Sequence, residues 1–465
     1  MSVIYDAAVI GAGPSGLASA TLLAEQGART VLLDEQPGPG GQIYRATEDS
    51  SLAKLRILGA DYARGAMLVR RLRASPAEYL PDSAVWNITP QKEIYFSRHR
   101  QSYRITANVL VLATGAMERP MPVPGWTLPG VMTAGALQIL LKTAAIISRG
   151  VILVGTGPLL YLLAWQYVAA GAPALVILDT SRQADRMASL ALLPRALRGA
   201  GWRYLLKGLR MFERLARAGV PIYRNVTDIR IEGVDRVESV QFRHGGKTIR
   251  LPAHTIGLHA GVIPVTHIAN ALGCAMEWDA AQYCLRPTLD AWGNTSTDNI
   301  LIAGDGGFIG GARAAEHAGR LAALEGLYRL GRIDAATRDR LATQDMSDQR
   351  AHLAVRAFLD RRYAPSTEIL RPADATIVCR CEEITAGQIR AAARQGAQGP
   401  NQAKAFLRAG MGPCQGRVCG PAVSELMAEI HGRPVAEIGT YRIRPPFKPI
   451  TVGELATLDK DRLPA

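Results

Sequence analysis

Tyr5-Asp-Ala-Ala-Val-Ile-Gly11-Ala-Gly13-Pro14-Ser15-Gly16 is a short apolar run closed by three spaced glycines. The run reads as a strand over 5–10, and the glycines open a helix that lasts to about Gln26, where Gly27 stops it. A second apolar strand, Thr30-Val-Leu-Leu33, ends in Asp34-Glu35, with Asp34 eighteen residues past the third glycine. This is the dinucleotide-binding fingerprint in its required context of strand before and helix after. Gly11 permits the tight turn, Gly13 lets backbone approach a pyrophosphate, and Gly16 lets helix pack on strand. Pro14 and Ser15 fall in the first helical turn, whose free N–H groups and positive dipole end suit phosphate. Asp34 is placed for ribose hydroxyls; Glu35 takes that place if the register slips by one.

Downstream, Gly38-Pro-Gly40-Gly41-Gln42 is too glycine-rich for a mere connection and suits close backbone approach to the same ligand. Residues 46–104 suit an antiparallel excursion, after which Val109-Leu-Val-Leu112 leads into Ala113-Thr114-Gly115. A second strand–turn–helix unit begins at Val151 with Gly155-Thr-Gly157-Pro158-Leu-Leu160, and its next strand ends in Asp179. Leu160 replaces the third glycine, so the unit is either a second nucleotide site or a copy that keeps only the fold. An Asp179 facing the ribose would favour an unphosphorylated 2′-hydroxyl, as in NAD or ATP. Residues 220–256 read as short strands turning at Gly245-Gly246. The strand 299–303 ends in Gly304-Asp305-Gly306-Gly307 before a long helix from about Ala312 to Leu330, placing Asp305 to bond a sugar or ribityl hydroxyl.

Four of the six cysteines lie between 379 and 419, as Cys379-Arg-Cys381 and Cys414-Gln-Gly-Arg-Val-Cys419. Four thiolates suit zinc or a [2Fe-2S] cluster. The C-x-C and C-x₄-C spacings depart from the usual zinc knuckle, which favours the cluster over zinc and over unligated thiols. Thr385-Ala-Gly-Gln388 is a capping box for a helix to about Gln395, Asn401 is expected to cap a second helix, and a third runs to about His431. Three short helices bury little apolar surface, so a bound cluster would supply much of the folding energy. Cys274 and Cys284, separated by nine residues, read as incidental buried thiols, which leaves no redox dithiol.

The 465 residues are 48% hydrophobic and 20% charged, an ordinary globular balance. The net charge of +14 comes without any zinc-finger, RNP or helix-turn-helix signature, so nucleic acid is not an expected partner. The densest basic stretch runs from Arg182 to Arg217 with Leu, Met and Phe at helical spacing. It is a solvated face, a docking face or a membrane-surface contact. Gly150–Leu178 carries no charge, yet Gly155, Gly157 and Gly171-Ala-Pro173 break it, so no integral membrane span is expected. A strand beginning by residue 5 leaves no room for a signal peptide, and metal-bound thiolates suit a reducing compartment. A cytoplasmic location is expected, with peripheral attachment at the inner membrane as the alternative. The eight histidines are scattered, His317 reads as packing or as support behind a cofactor rather than as a catalyst, and no residue stands out as a catalytic base.

Gly11–Gly16, Ala113-Thr-Gly115, the Gly155 loop and Gly304-Asp305 together resemble the two-dinucleotide-domain flavoproteins of the pyridine nucleotide–disulfide oxidoreductase fold, over residues 5 to about 330. The resemblance implies that FAD is held by the first glycine motif, Asp34, Gly41-Gln42, Ala113-Thr114-Gly115 and Gly304-Asp305. The cysteine module resembles the BFD-like [2Fe-2S] domain, whose ligands match Cys379, Cys381, Cys414 and Cys419. The two joined, with Gly410-Met-Gly-Pro-Cys414-Gln-Gly-Arg417, resemble the larger subunit of bacterial heteromeric amino-acid dehydrogenases, the group of opine oxidase, D-hydroxyproline dehydrogenase, dye-linked proline dehydrogenase and hydrogen cyanide synthase. This implies an FAD-dependent oxidoreductase subunit that relays electrons from a separate flavin-containing catalytic subunit. Its substrate would be an opine, D-amino or imino acid such as D-hydroxyproline, proline, octopine or nopaline. Some members also carry a small ferredoxin-like subunit, with an FMN at a subunit boundary. The alternatives are a self-sufficient NADH-dependent reductase, a hydrogen cyanide synthase subunit, and a nucleotide-binding scaffold with structural zinc. The expected architecture is α/β. Residues 1–125 and 255–330 form an FAD-binding domain, 126–254 a second Rossmann-like domain with a helical insertion, 331–372 a helical linker, 373–440 a small helical [2Fe-2S] domain and 441–465 an extended tail.

Overall fold

The computed structural model describes residues 3–458. Strands β1 (Val3–Ile10), β2 (Thr30–Leu33), β3 (Glu78–Leu80), β4 (Ala84–Ile88), β5 (Glu93–Arg98) and β6 (Gln101–Leu112) form one sheet in the order β3-β2-β1-β6-β5-β4. Ala7, Ala8 and Val9 of β1 are fully buried because the sheet is covered on both faces, which is why this strand reads as an unbroken apolar run. On one face the helix Pro14–Glu25 buries nearly all its residues beneath the helix Ala312–Arg329. A Cβ at Gly319 would stand 2.1 Å from Ser15 O, so the two helices meet backbone to backbone.

Of the excursion expected over 46–104, only its second half is antiparallel: β4, β5 and β6 pair so, but helices Leu52–Leu58 and Ala60–Ala74 come first. Ser51 caps the first helix, and Tyr62, Leu68, Val69 and Leu72 of the second are buried at helical spacing.

The chain crosses to a second sheet through β7 (Ala116–Glu118). That sheet is built from β8 (Val131–Thr133), β9 (Val151–Thr156), β10 (Val176–Asp179) and β11 (Ile222–Arg224). The antiparallel strands β12 (Thr227–Glu232), β13 (Ser239–His244) and β14 (Lys247–Pro252) follow, turning at Gly245-Gly246 as expected. β15 (Thr255–Ala260) then enters the second sheet between β9 and β8, giving the order β11-β10-β9-β15-β8. This corrects the boundary at 254/255. Residues 255–260 belong to the second domain, since β9 is fully buried and needs a parallel partner on each side. β16 (Val262–Pro264) returns antiparallel to β7, the hairpin β17 (Met276–Asp279) and β18 (Cys284–Pro287) follows, and β19 (Ile300–Ile302) rejoins the first sheet beside β6. The uncharged run 150–178 is thus strand, helix Pro158–Ala169 and strand. No helix among the described residues is long and apolar enough to cross a membrane.

Helices Ala335–Leu353, Arg356–Arg362 and Thr367–Leu370 link this body to the cysteine module, and the first packs along Ala312–Arg329. Their seam holds Asp345, 6% exposed, which accepts from His317 Nδ1 at 2.8 Å and from Arg320 Nε at 2.8 Å. Burial opposes its charge, but these bonds win and hold the carboxyl below its ordinary range. A folded pKa below the unfolded one gives stability that is present above the ordinary pKa of about 4 and lost as pH falls below it. Asp345→Asn should cost about 3 kcal/mol in urea unfolding at pH 7, and the cost should shrink progressively as pH falls below about 4.

In the module, β20 (Ile377–Cys379) and β21 (Ile384–Thr385) lead to helix Ala386–Arg394, whose capping box has both bonds in place between Thr385 and Gln388. Asn401 does not cap the next helix. Pro400–Leu407 starts at Gly399, and Asn401 instead bonds the tail, accepting from Arg442 N at 2.9 Å and donating to Thr440 O. Helix Gly420–His431 completes the module. Tyr441, Ile443 and Phe447 of the tail are buried in one apolar cluster with the module helices and the face of β1, β5 and β6; residues 459–465 lie outside the described residues.

Candidate functional site

The motifs scattered over the first three hundred residues meet at the carboxyl ends of β1, β6 and β19. A Cβ at Gly16 would stand 1.8 Å from Gly11 O and 3.2 Å from Ala113 Cβ, and one at Gly304 would stand 2.7 Å from Ser15 Oγ. One at Gly41 would stand 2.8 Å from Gly13 Cα, and one at Gly306 would stand 3.2 Å from Thr114 Oγ1. Segments 11–16, 41, 113–115 and 304–306 therefore form one lining, with the helix of Pro14 and Ser15 pointing its N-terminus into it. At Gly13 the backbone is extended and a Cβ would meet nothing within 4 Å, so this face of the loop is open as a phosphate cradle must be.

Asp34 lies beside that cradle, its carboxylate accepting from Ala12 N at 2.5 Å and Gln36 N at 2.7 Å. Burial pushes its pKa up against those bonds and the nearby Arg45 and Lys448 charges. Glu35 points elsewhere and pairs with Lys448 of the tail. Asp305 accepts from Gly310 N at 2.8 Å and Gly311 N at 3.0 Å, both through Oδ1; Oδ2 carries no bond among the described residues. Gln42 is held through its carbonyl by Lys142 Nζ at 2.9 Å. Lys142 is 3% exposed, and burial lowers its pKa to about 7.

The second glycine loop differs. Gly157 has φ +127°, and a Cβ there would stand 2.9 Å from His259 Nε2. The His259 ring stands against the second glycine loop, anchored by Glu118 Oε1 at 2.7 Å from its Nδ1. Asp179 repeats half of Asp34's arrangement, accepting from Ser181 N at 2.8 Å, but its other oxygen takes the Tyr161 hydroxyl at 2.5 Å where Asp34 holds loop backbone. The hydroxyls of Thr156, Thr180 and Ser181 around this loop are buried without partners.

The four module cysteines stand as two pairs. Cys381 and Cys414 have sulfurs 3.8 Å apart, and Cys379 and Cys419 share a hydrogen bond. Among the described residues no three potential ligands surround a single point. A two-iron cluster takes two thiolates on each iron, so paired thiols fit it better than one tetrahedral zinc. The Cys419 thiol and backbone N–H groups of Gly410, Glu382 and Cys381 lower the Cys379 pKa to about 6, the thiolate form a cluster requires. The Tyr441 ring lies on the loop itself, where a Cβ at Gly416 would meet it at 2.3 Å and one at Gly410 at 2.6 Å.

The glycine-rich lining and the cysteine loop are joined by a short strut. Val265 N donates to Gly115 O at 3.0 Å and Thr114 Oγ1 donates to Val265 O at 3.2 Å. Two residues on, His267 Nε2 bonds Gln415 O at 3.4 Å, next to Cys414. Burial, and then Arg417, lowers the His267 pKa to about 4, so a neutral ring donates this bond. His267→Ala should leave FAD content unchanged and cost the loop about 1 kcal/mol, seen as faster bleaching of the cluster by a chelator. Sequence reading missed His267, Lys142 and Lys448. The first is one of eight scattered histidines, and none carries a motif. Cys274 and Cys284 are both buried.

The pyridine nucleotide-disulphide oxidoreductase family matches residues 5–320, and the BFD-like [2Fe-2S] binding domain matches residues 377–429. The opine oxidase A-subunit of Rhizobium meliloti (strain 1021) is 48% identical over 457 residues, covering 98% of this chain and 99% of its own. The chain belongs to the opine oxidase A-subunit family. Relatives at greater distance include the hydrogen cyanide synthase subunit HcnB of Pseudomonas aeruginosa, 33% identical over 95% of this chain and 96% of its own. L-proline dehydrogenase from P. horikoshii shares the fold with a TM-score of 0.69 at 17% identity, covering 98% of this chain and 80% of that one. This opine oxidase A-subunit homologue is thus an FAD-dependent oxidoreductase with a [2Fe-2S] domain.

Proposed function

We propose that this chain is the electron-transfer subunit of a heteromeric dehydrogenase acting on an opine or a related D-amino or imino acid, paired with a flavin-containing catalytic subunit in the cytoplasm. A small ferredoxin-like subunit completes the assembly in this reading. Bound FAD accepts electron pairs and a [2Fe-2S] cluster passes single electrons, so together they convert one flow into the other. Gly11, Gly13 and Gly16 with the Ser15 N–H at the helix N-terminus would hold the diphosphate, Asp34 the ribose, and Asp305 Oδ2 a ribityl hydroxyl. Ala113-Thr114-Gly115 and Gly41-Gln42 would line the flavin end, and Cys379, Cys381, Cys414 and Cys419 would ligate the cluster.

The observation that carries this reading is the strut from Thr114 and Gly115 through Val265 and His267 to Gln415. It ties the cysteine loop to the lining proposed for the flavin. His259 over Gly157 and Tyr161 on Asp179 support the copy that keeps only the fold over a site for NAD or ATP, and so weigh against a self-sufficient NADH reductase. The test is anaerobic titration of the purified chain. NADH should leave its flavin band unchanged, whereas dithionite should bleach both cofactors; bleaching by NADH within seconds would overturn the reading.

A further inference from the structure

The segment 182–217, inserted between β10 and β11, holds nine Lys and Arg against two acids, half of the chain's net charge of +14. Its two acids are both neutralised. Asp185 is buried against Arg182 and Arg361, and Glu213 pairs with Arg217. Lys207 is paired with Asp61. Arg195, Arg198, Arg203 and Arg210 are exposed and have no acidic partner among the described residues.

The helix Gly201–Arg217 turns Leu205, Phe212 and Leu215 toward the body. Its outer side is not purely polar. Trp202, Leu206 and Leu209 lie on one strip and are 47%, 37% and 67% exposed. Arg203, Arg210 and Arg217 run beside that strip at helical spacing. Leu190 and Leu197 of the preceding turns are likewise about half exposed. An exposed apolar strip flanked by Arg203 and Arg210, which have no acidic partner among the described residues, matches an interface where the apolar side chains enter acyl groups and the guanidinium groups meet anionic headgroups. An acidic protein surface would satisfy the charges but leave a protruding Trp and several Leu without a complementary pocket. Trp is also the side chain that settles at the headgroup level.

We infer that this helical insertion docks the chain on an anionic phospholipid surface, lying flat with Trp202, Leu206 and Leu209 in the interface. The test uses the full chain with its cofactors and sedimentation with vesicles of phosphatidylcholine, with or without about one-third phosphatidylglycerol. Wild type should pellet with the anionic vesicles and not with neutral ones, and salt should release it. Arg203→Gln with Arg210→Gln should weaken binding on the order of twentyfold, each cation being worth about fivefold near such a surface. Trp202→Ser with Leu209→Ser should weaken it further while the visible spectrum stays unchanged, which shows that these variants fold. Equal binding to both vesicle types, or none to either, would overturn the inference. So would a mass on ultracentrifugation that falls from dimer to monomer in the Trp202→Ser variant, or loss of the catalytic subunit from the complex in the arginine variants. Those results assign the face to a second copy or to that partner.

Discussion

Replacing Cys414 with Ser should leave FAD bound and stop electron flow beyond it. Cys414 pairs with Cys381 at 3.8 Å, and its loop hangs on the body through Gln415, so in the proposed site loss of this thiolate opens one pair of ligands while the glycine-rich lining is untouched. Flavin content and flavin reduction by substrate within the complex should stay within about twofold of wild type, because neither draws on the module. Turnover with the natural acceptor should fall below about 1%, since a cluster missing one thiolate is no longer held. The module should also lose resistance to proteolysis, for Tyr441 packs on the cysteine loop's glycines and the cluster's binding energy is folding energy. Full turnover in this variant would remove the relay role.

Gly13→Val should give the opposite separation. Gly13 is extended, with φ −74°, and a Cβ there meets no protein atom within 4 Å, so the chain should fold with its unfolding midpoint little changed. The added methyls would occupy the space over the helix N-terminus that a diphosphate needs. FAD affinity should fall at least about a hundredfold, close to 3 kcal/mol, measured by fluorescence on refilling the apoprotein. Gly16→Val is the contrasting control: its Cβ would stand 1.8 Å from Gly11 O, so it should cost stability as well as ligand. Normal FAD affinity in Gly13→Val would place the flavin elsewhere.

These contrasts show where the sequence was legible. The glycine fingerprint, the Thr385 capping box and the strand before Asp305 are local patterns, in which neighbouring residues carry both the cause and the structure. Placing β15 in the second sheet needed strand order, which depends on partners a hundred residues away and leaves no mark in the strand itself. Asp34 and Glu35 are equivalent by spacing. Lys448, far along the chain, separates them by pairing with Glu35. Asp179 matched the pattern, but Tyr161 one turn into the adjacent helix claims its carboxylate, and His259 arrives from another strand to close the loop. Lys142 and His267 were invisible because their interest lies in burial, which a lone Lys or His does not announce. The basic stretch was legible as charge, yet only the fold showed which arginines lack partners and which apolar side chains stand out beside them.

The most direct test of the account mixes the chain with its catalytic subunit under anaerobic conditions, adds the amino-acid or opine substrate, and follows the flavin band and the EPR signal of the reduced cluster together. The account predicts that the cluster signal appears only when both subunits and substrate are present, after or with flavin bleaching, and that the isolated chain shows neither change. A cluster signal raised by NADH in the isolated chain, or substrate turnover that never reduces the cluster, would contradict it.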